Sequence, residues 1–259
     1  MKQQLSVVKI GGNVIEDEKA LDTFLTAFSK LDGLKILVHG GGKLATQMAT
    51  KLGVTSKMVE GRRITDAETV DIITMVYGGL ANKKIVAKLQ AKGINALGLS
   101  GADGNTLQAH KRPVKEIDFG FVGDIDGVNS GLLAHLLTLQ LTPIFCAISH
   151  DGQGQLLNTN ADTIASELAI GMSAHYDTTL YYCFEKKGVL MRITDENSVI
   201  KHIDTKKYRQ LLADGIIADG MLPKLHNCFH ALENQVKKVC LGDVSMLNEQ
   251  EELFTTITL

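Results

Sequence analysis

Two lysines and two glycine clusters are the residues of this sequence best suited to handling a phosphoryl group. Lys9 is the one charged residue in the apolar run Leu5 to Ile10, and Gly11-Gly12 follow it directly. Gly40-Gly41-Gly42 follow a second apolar run, Lys35 to His39. Glycines between a strand end and a helix leave backbone N–H groups free and let an anion approach them closely. An ammonium beside such amides neutralises phosphoryl oxygens. Lys224 lies in DGMLPK, three residues beyond Met221 at the start of an expected helix. A cation there opposes the helix dipole and is favoured only beside an anion. Asn158, Asn160 and Asp162 alternate along an extended tip, so they face one way. Asn160 has a capping role available, whereas Asn158 and Asp162 have no evident structural one. Arg63 has the planar fork that clamps a carboxylate. Each feature alone also has a plain reading: a tight turn for the glycines, a solvent-reaching side chain for Lys9, Lys224 or Arg63. Neither glycine cluster has the spacing of a dinucleotide fingerprint, and no G-x-x-x-x-G-K-[ST] loop occurs.

The elements that position these residues alternate between short Val/Ile/Leu-rich runs and longer stretches of helical period, the pattern of a parallel α/β sheet buried on both faces. Strands are expected at Leu5 to Ile10, Lys35 to His39, Asn95 to Leu99, Thr142 to Ser149, Tyr176 to Cys183 and Val236 to Leu241, with a short β piece at Gly188 to Arg192. Helices are expected over Asp17 to Lys30, from Lys43, over Asp66 to Lys92, Asn129 to Gln140, Thr205 to Leu212 and Met221 to Asn234, and after Asn160. Lys57 to Ile64 reads as a hairpin turning at Glu60-Gly61, and Thr106 to Asp126 as small antiparallel strands over one edge. The acidic run Asn248 to Glu252 reads as a solvated turn.

Composition narrows the function classes. The 259 residues, 44% of them hydrophobic, can bury a large core. Lys+Arg 27 against Asp+Glu 29 leaves a net charge of −2, without the basic field that draws a protein to nucleic acid or an anionic membrane. Cys146, Cys183, Cys228 and Cys240 form no C-x-x-C pair, which argues for reduced thiols and a cytoplasmic location. No apolar run is long enough for a signal peptide or a membrane span.

Taken together, VVKIGGN, VHGGGK, EGRRITD, LNTNAD and DGMLPK resemble the amino-acid kinase superfamily and, within it, the acetylglutamate kinase family. The motifs are collinear from residue 6 to about 225. The resemblance implies an α/β fold, a three-layer αβα sandwich around a mainly parallel open sheet. It implies residues 1–177 as the acyl-amino-acid half and 178–259 as the nucleotide half. The implied reaction is ATP-dependent phosphorylation of the γ-carboxylate of an N-acyl-L-glutamate, an early step of arginine biosynthesis, with Mg²⁺ brought by ATP rather than held by the protein. By motif position, Lys9 and Lys224 stabilise the transferring group from opposite sides, and Asp162 holds both ammonium groups. The amides of Gly11, Gly12, Gly41 and Gly42 line the phosphoryl path. Gly41, Gly42, Arg63, Asn158 and Asn160 bind the acceptor; Glu185, Gly188, Val189, Leu190, Ile216, Ile217 and Asp219 bind the nucleotide.

Two departures from the family pattern stand out. Phe184-Glu185-Lys186-Lys187 replaces the usual Ser-Asp-Val before Gly188. Arg62 stands where a leucine commonly precedes the arginine, either facing solvent or pairing with an extra carboxylate on the acyl group, as in N-succinylglutamate. N-acetyl is the first expectation for the acyl group and N-succinyl the second. The chain begins almost at its first strand, which by the resemblance implies a homodimer without arginine feedback. The competing readings are a relative acting on another carboxylate, such as glutamate, and a non-catalytic ligand-binding relative; two cations flanking Asp162 argue against the latter.

Overall fold

The computed structural model describes residues 2–59, 62–217, 221–248 and 253–259. The apolar run β1 (Gln4–Ile10) enters a single-turn helix α1 (Gly12–Glu16) and then α2 (Glu18–Lys30), which is capped by Asp17 accepting from Ala20 N at 2.8 Å. The next strand, β2 (Leu34–His39), leads to α3 (Gly42–Lys51), and the hairpin strands β3 (Lys57–Val59) and β4 (Arg62–Ile64) pair antiparallel. The expected turn residues Glu60 and Gly61 lie outside the described residues.

The long helix expected from Asp66 is three segments: α4 (Ala67–Ile73), a π-helical stretch Thr74–Ala81, and α5 (Asn82–Gln90). Ile73, Val76 and Tyr77 join one core cluster, whereas Ala81, Ile85 and Leu89 join the other. An uninterrupted α-helix keeps one face toward one layer, so the wider turns fall where the buried face changes.

After β5 (Ala96–Leu99), the strands β6 (Leu107–Lys111) and β7 (Gly123–Val128) form the expected antiparallel pair. Helix α6 (Ser130–Thr138) follows, capped by Asn129. The single strand expected over Thr142 to Ser149 is divided at Ala147 into β8 (Thr142–Cys146) and β9 (Ile148–His150). Ala147 O accepts from Thr159 N, and Ile148 O from Gly101 N, so the chain leaves one sheet for another without losing backbone hydrogen bonds. Next come β10 (Leu156–Asn158), α7 (Ala161–Ser173) and β11 (Asp177–Cys183). The piece expected at Gly188 to Arg192 is not a strand: Leu190 makes one bridge to Val199, and Val189 N donates to the Thr255 side chain instead of a ladder. The remaining elements are β12 (His202–Ile203), α8 (Thr205–Ala213), α9 (Leu222–Glu233), β13 (Lys238–Gly242) and β14 (Thr255–Ile257).

The main sheet has eight strands in the order β12-β14-β13-β11-β1-β2-β8-β5, parallel except where β14 meets β13. A second sheet, β10-β9-β6-β7, stands beside it. Alternate residues of β1 serve opposite layers: Leu5 and Val7 enter the core with α3, α4, α6, α7 and α9, and Val8 and Ile10 enter the core with α2 and α5. This is a three-layer αβα sandwich.

Candidate active site

A cleft of about 690 Å³ opens at the carboxyl ends of β1 and β2, where ligands bind in open parallel sheets. Its lining includes Lys9, Gly12, Gly40, Gly41, Gly42, Arg63, Asn158, Asn160 and Asp162. The starts of α3 and α7, marked by Gly42 and Ala161, face the same space, so the positive ends of two helix dipoles converge there.

Asp162 organises the charges. One carboxylate oxygen lies 2.6 Å from Lys9 Nζ and the other accepts from Lys224 Nζ at 2.7 Å. Burial alone would raise the Asp162 pKa, but the two ammonium groups outweigh it and hold the carboxyl well below its usual range. Burial lowers Lys9, opposed by Asp162 and assisted by the like charge of Lys224. Lys224 also lies 5.0 Å from the centre of the Tyr182 ring, whose hydroxyl donates to Asp162 O at 2.9 Å. Asn160 caps α7, accepting from Asp162 N at 2.7 Å, which fixes the backbone carrying the carboxylate.

Arg63 is 8% exposed, and its guanidinium donates to Ser56 Oγ at 2.7 Å and to Gly42 O and Thr46 Oγ1, both at 2.8 Å. All three are neutral oxygens, and among the described residues no carboxylate pairs with it. A buried cation without a counter-ion is costly, so this side of the cleft favours an anionic ligand. Asn158 Nδ2 donates to Thr65 Oγ1 at 3.0 Å across the same wall. Gly11 sits behind the cleft, its N–H bonded to Cys183 O at 2.9 Å, and Gly12 lines it. A side chain on Gly41 would fall 2.8 Å from Tyr77 Cδ1, so only glycine lets that backbone pass under the ring.

Of the described positions expected to hold a nucleotide, none lines this cleft. Val189 and Ile217 are buried in the core, Ile216 packs against it, and Glu185 is exposed. Gly188 is pressed against Thr255 and Val199, and Leu190 bridges Val199. Asp219 lies outside the described residues. Arg62 is exposed at the cleft's edge.

The sequence reading missed Arg112, Phe119 and Tyr77, which also line the cleft. Arg112 makes a bidentate ion pair with Asp124, with contacts from 2.5 to 3.1 Å, and lies 5.9 Å from the Phe119 ring centre. Arg112 just follows β6 and meets Asp124 of β7 diagonally, since His110 is the residue directly opposite Asp124.

The family model described as the amino acid kinase family matches residues 4–243. The chain belongs to the amino acid kinase family. It is 52% identical over 249 residues to the acetylglutamate kinase of Phocaeicola vulgatus, a match covering 96% of this chain and 97% of that one. It is 54% identical over 248 residues to the acetylglutamate kinase of Bacteroides fragilis, covering 96% and 95%. Carbamate kinase from Giardia lamblia bound to AMP-PNP has the same fold, with a TM-score of 0.70 at 12% identity over 99% of this chain and 98% of that one. This amino acid kinase therefore has full-length relatives at about half identity, together with an α/β core common to more distant ones. Among its described residues, no helix is long and apolar enough to cross a membrane.

Proposed function

We propose that this amino acid kinase transfers the γ-phosphoryl group of ATP to the γ-carboxylate of N-acetyl-L-glutamate, giving an acyl phosphate for arginine biosynthesis. The observation that carries the reading is the pair of ammonium groups, Lys9 and Lys224, held on opposite oxygens of Asp162 beside a glycine-lined cleft. A phosphoryl group in flight carries negative charge on its peripheral oxygens, and two fixed cations with preorganised amides stabilise it. The acceptor carboxylate is already ionised near neutral pH, so no general base is required. One of its oxygens forms the new P–O bond while the bond from the γ-phosphorus to the bridging oxygen breaks, and that electron pair leaves with ADP. Lys9 and Lys224 neutralise the moving group, Asp162 keeps the two ammonium groups apart, and the amides of Gly12, Gly41 and Gly42 orient the anions, the Gly11 N–H being taken by Cys183 O. Arg63, Asn158 and Asn160 hold the amino-acid end.

The chain's own residues do not fit a protein-held Mg²⁺: among the described residues no group of three His, Cys, Asp or Glu side chains gathers as a cage, and both Asp162 oxygens are occupied by lysines. The ion belongs with the nucleotide phosphates. We place the acceptor in the 1–177 half and the nucleotide on the 178–259 half, around Glu185 to Leu190 and Ile216 to Asp219. The working form is a cytoplasmic homodimer; Met75 and Leu80, exposed on the π-helical stretch, offer an apolar face for a second copy.

The test offers Mg-ATP with glutamate, N-acetylglutamate and N-succinylglutamate side by side and traps acyl phosphate as its hydroxamate. Product with an N-acylated substrate, lost in Lys224→Ala, supports the reading; product with glutamate alone, or ATP binding without turnover, overturns it. Arg62 at the cleft's edge gives the succinyl substrate its one specific argument. If Arg62→Leu leaves the succinyl-to-acetyl ratio of kcat/KM unchanged, that argument fails.

A further inference from the structure

His39, which the transfer chemistry does not use, is fully buried at the end of β2. Its Nδ1 lies 2.8 Å from the Gly40 carbonyl oxygen, and its Nε2 lies 3.1 Å from Asn82 Nδ2. A carbonyl oxygen only accepts, so Nδ1 carries the proton and Nε2 accepts from the Asn82 carboxamide. The Asn82 amide also donates to Ile144 O at 2.9 Å, and its Oδ1 accepts from Lys83 Nζ at 3.1 Å. These bonds fix one tautomer and one ring orientation. Burial pulls the His39 pKa down to about 4, so the ring is neutral at working pH.

Neighbouring elements make room for this pair. Gly98 in β5 leaves the space that Asn82 Oδ1 fills; any Cβ there would overlap it. Asn82 immediately follows the π-helical stretch that carries Tyr77 over Gly41. One helical run thus presses on the glycine loop from two sides, Tyr77 against Gly41 and Asn82 through His39 against Gly40.

We propose that His39 and Asn82 are positioning residues for phosphoryl transfer: they tie the Gly40 carbonyl into the core so that the Gly41 N–H of the same peptide faces the cleft. The described chain has no cis peptide, and a trans peptide puts its C=O and N–H on opposite sides. Without the His39 donor that peptide turns over freely, and a carbonyl dipole replaces an N–H where anions bind. This inference rests on reading the cleft as a phosphoryl-transfer site.

The test compares His39→Phe, which keeps a buried ring and removes the donor, with His39→Asn, whose carboxamide can donate near the Nδ1 position. His39→Phe lowers kcat by about 10- to 100-fold, the scale of losing one preorganised donor, with KM for ATP changed much less. His39→Asn recovers most of the lost kcat. Nitrogen-15 spectra of the wild-type protein show His39 as the neutral Nδ1–H tautomer, a readout independent of how the variants fold. An Nε2–H tautomer, wild-type kcat in His39→Phe, or no recovery in a folded His39→Asn overturns the proposal. A wild-type protein that forms no acyl phosphate defeats the functional reading instead, so the two failures are distinct.

Discussion

Replacing Asp162 with asparagine keeps the side-chain shape and removes the charge between two buried ammonium groups. The three side chains are 14%, 15% and 18% exposed for Lys9, Lys224 and Asp162, and the contacts are 2.6 and 2.7 Å. At such distances each attraction is worth about 6 kcal/mol with an effective dielectric near 20, before desolvation is subtracted. Removing one partner of a buried pair costs about 3–5 kcal/mol in practice, and here one carboxylate serves two cations. Asparagine retains an oxygen for one lysine but turns an NH₂ toward the other, donor against donor. Asp162→Asn is therefore expected to lower the unfolding free energy in urea by about 3 kcal/mol at pH 7 and kcat by about 100-fold or more. The pH dependence follows from the sign of the shift. Asp162 titrates lower folded than unfolded, so its stabilisation is complete above about pH 4–5 and is lost as pH falls toward the folded value. The difference between wild type and variant stays constant from pH 7 to about 5 and narrows only below about 4. A difference under about 1 kcal/mol at pH 7, or one that already narrows between pH 7 and 5, refutes the reasoning.

Three further outcomes are expected. Gly41→Ala puts a methyl group 2.8 Å from Tyr77 Cδ1 and loses about 1–3 kcal/mol of stability in thermal or urea unfolding, part of which Gly41→Ala/Tyr77→Leu regains. Arg63→Ala raises KM for the acyl acceptor by about tenfold or more in steady-state assays while leaving KM for ATP nearly unchanged, the scale of a charged hydrogen bond. Because His39 is held down to about 4 against about 6.5 in the unfolded chain, the unfolded state binds a proton that the folded state refuses. Stability then falls by about 3 kcal/mol as pH drops from about 6.5 to 4, and urea unfolding of His39→Asn over this range is flatter than wild type.

What the sequence made legible was chemistry tied to local geometry. Lys9 at a strand end and Asp162 after a capping asparagine are recognisable because each residue type conflicts with its neighbours unless a ligand or partner is present. Asp17, Asp66 and Asn160 marked helix starts correctly because their caps are made within three residues. The break at Ala147 was hidden because β8 and β9 are both buried, so apolar residues run through it unchanged. The π-helical stretch was hidden for a related reason: TMVYGGLA is apolar almost all round, and a shift from one buried face to another leaves no alternation to read. Arg112 and Asp124 needed the register of β6 and β7, which depends on a bulge at Gln108/Ala109. The short strands β12 and β14 are held by neighbours far along the chain, and two or three residues carry no period of their own.

The position of β1 has a consequence for synthesis of the chain. One of its neighbours, β2, follows within thirty-odd residues, but the other, β11, pairs Asp177 with Gln4, 173 positions away. At ribosomal rates of about 5–20 residues per second, β1 waits roughly ten to thirty seconds with one side unpaired. Val7 and Val8 then stand on an open edge whose N–H and C=O groups can recruit another nascent chain. The one charge in that strand core is Lys9, and a buried-strand lysine is what discourages edge-to-edge pairing. Until Asp162 and then Lys224 emerge, the lysine proposed to steady a phosphoryl group serves as a guard against aggregation.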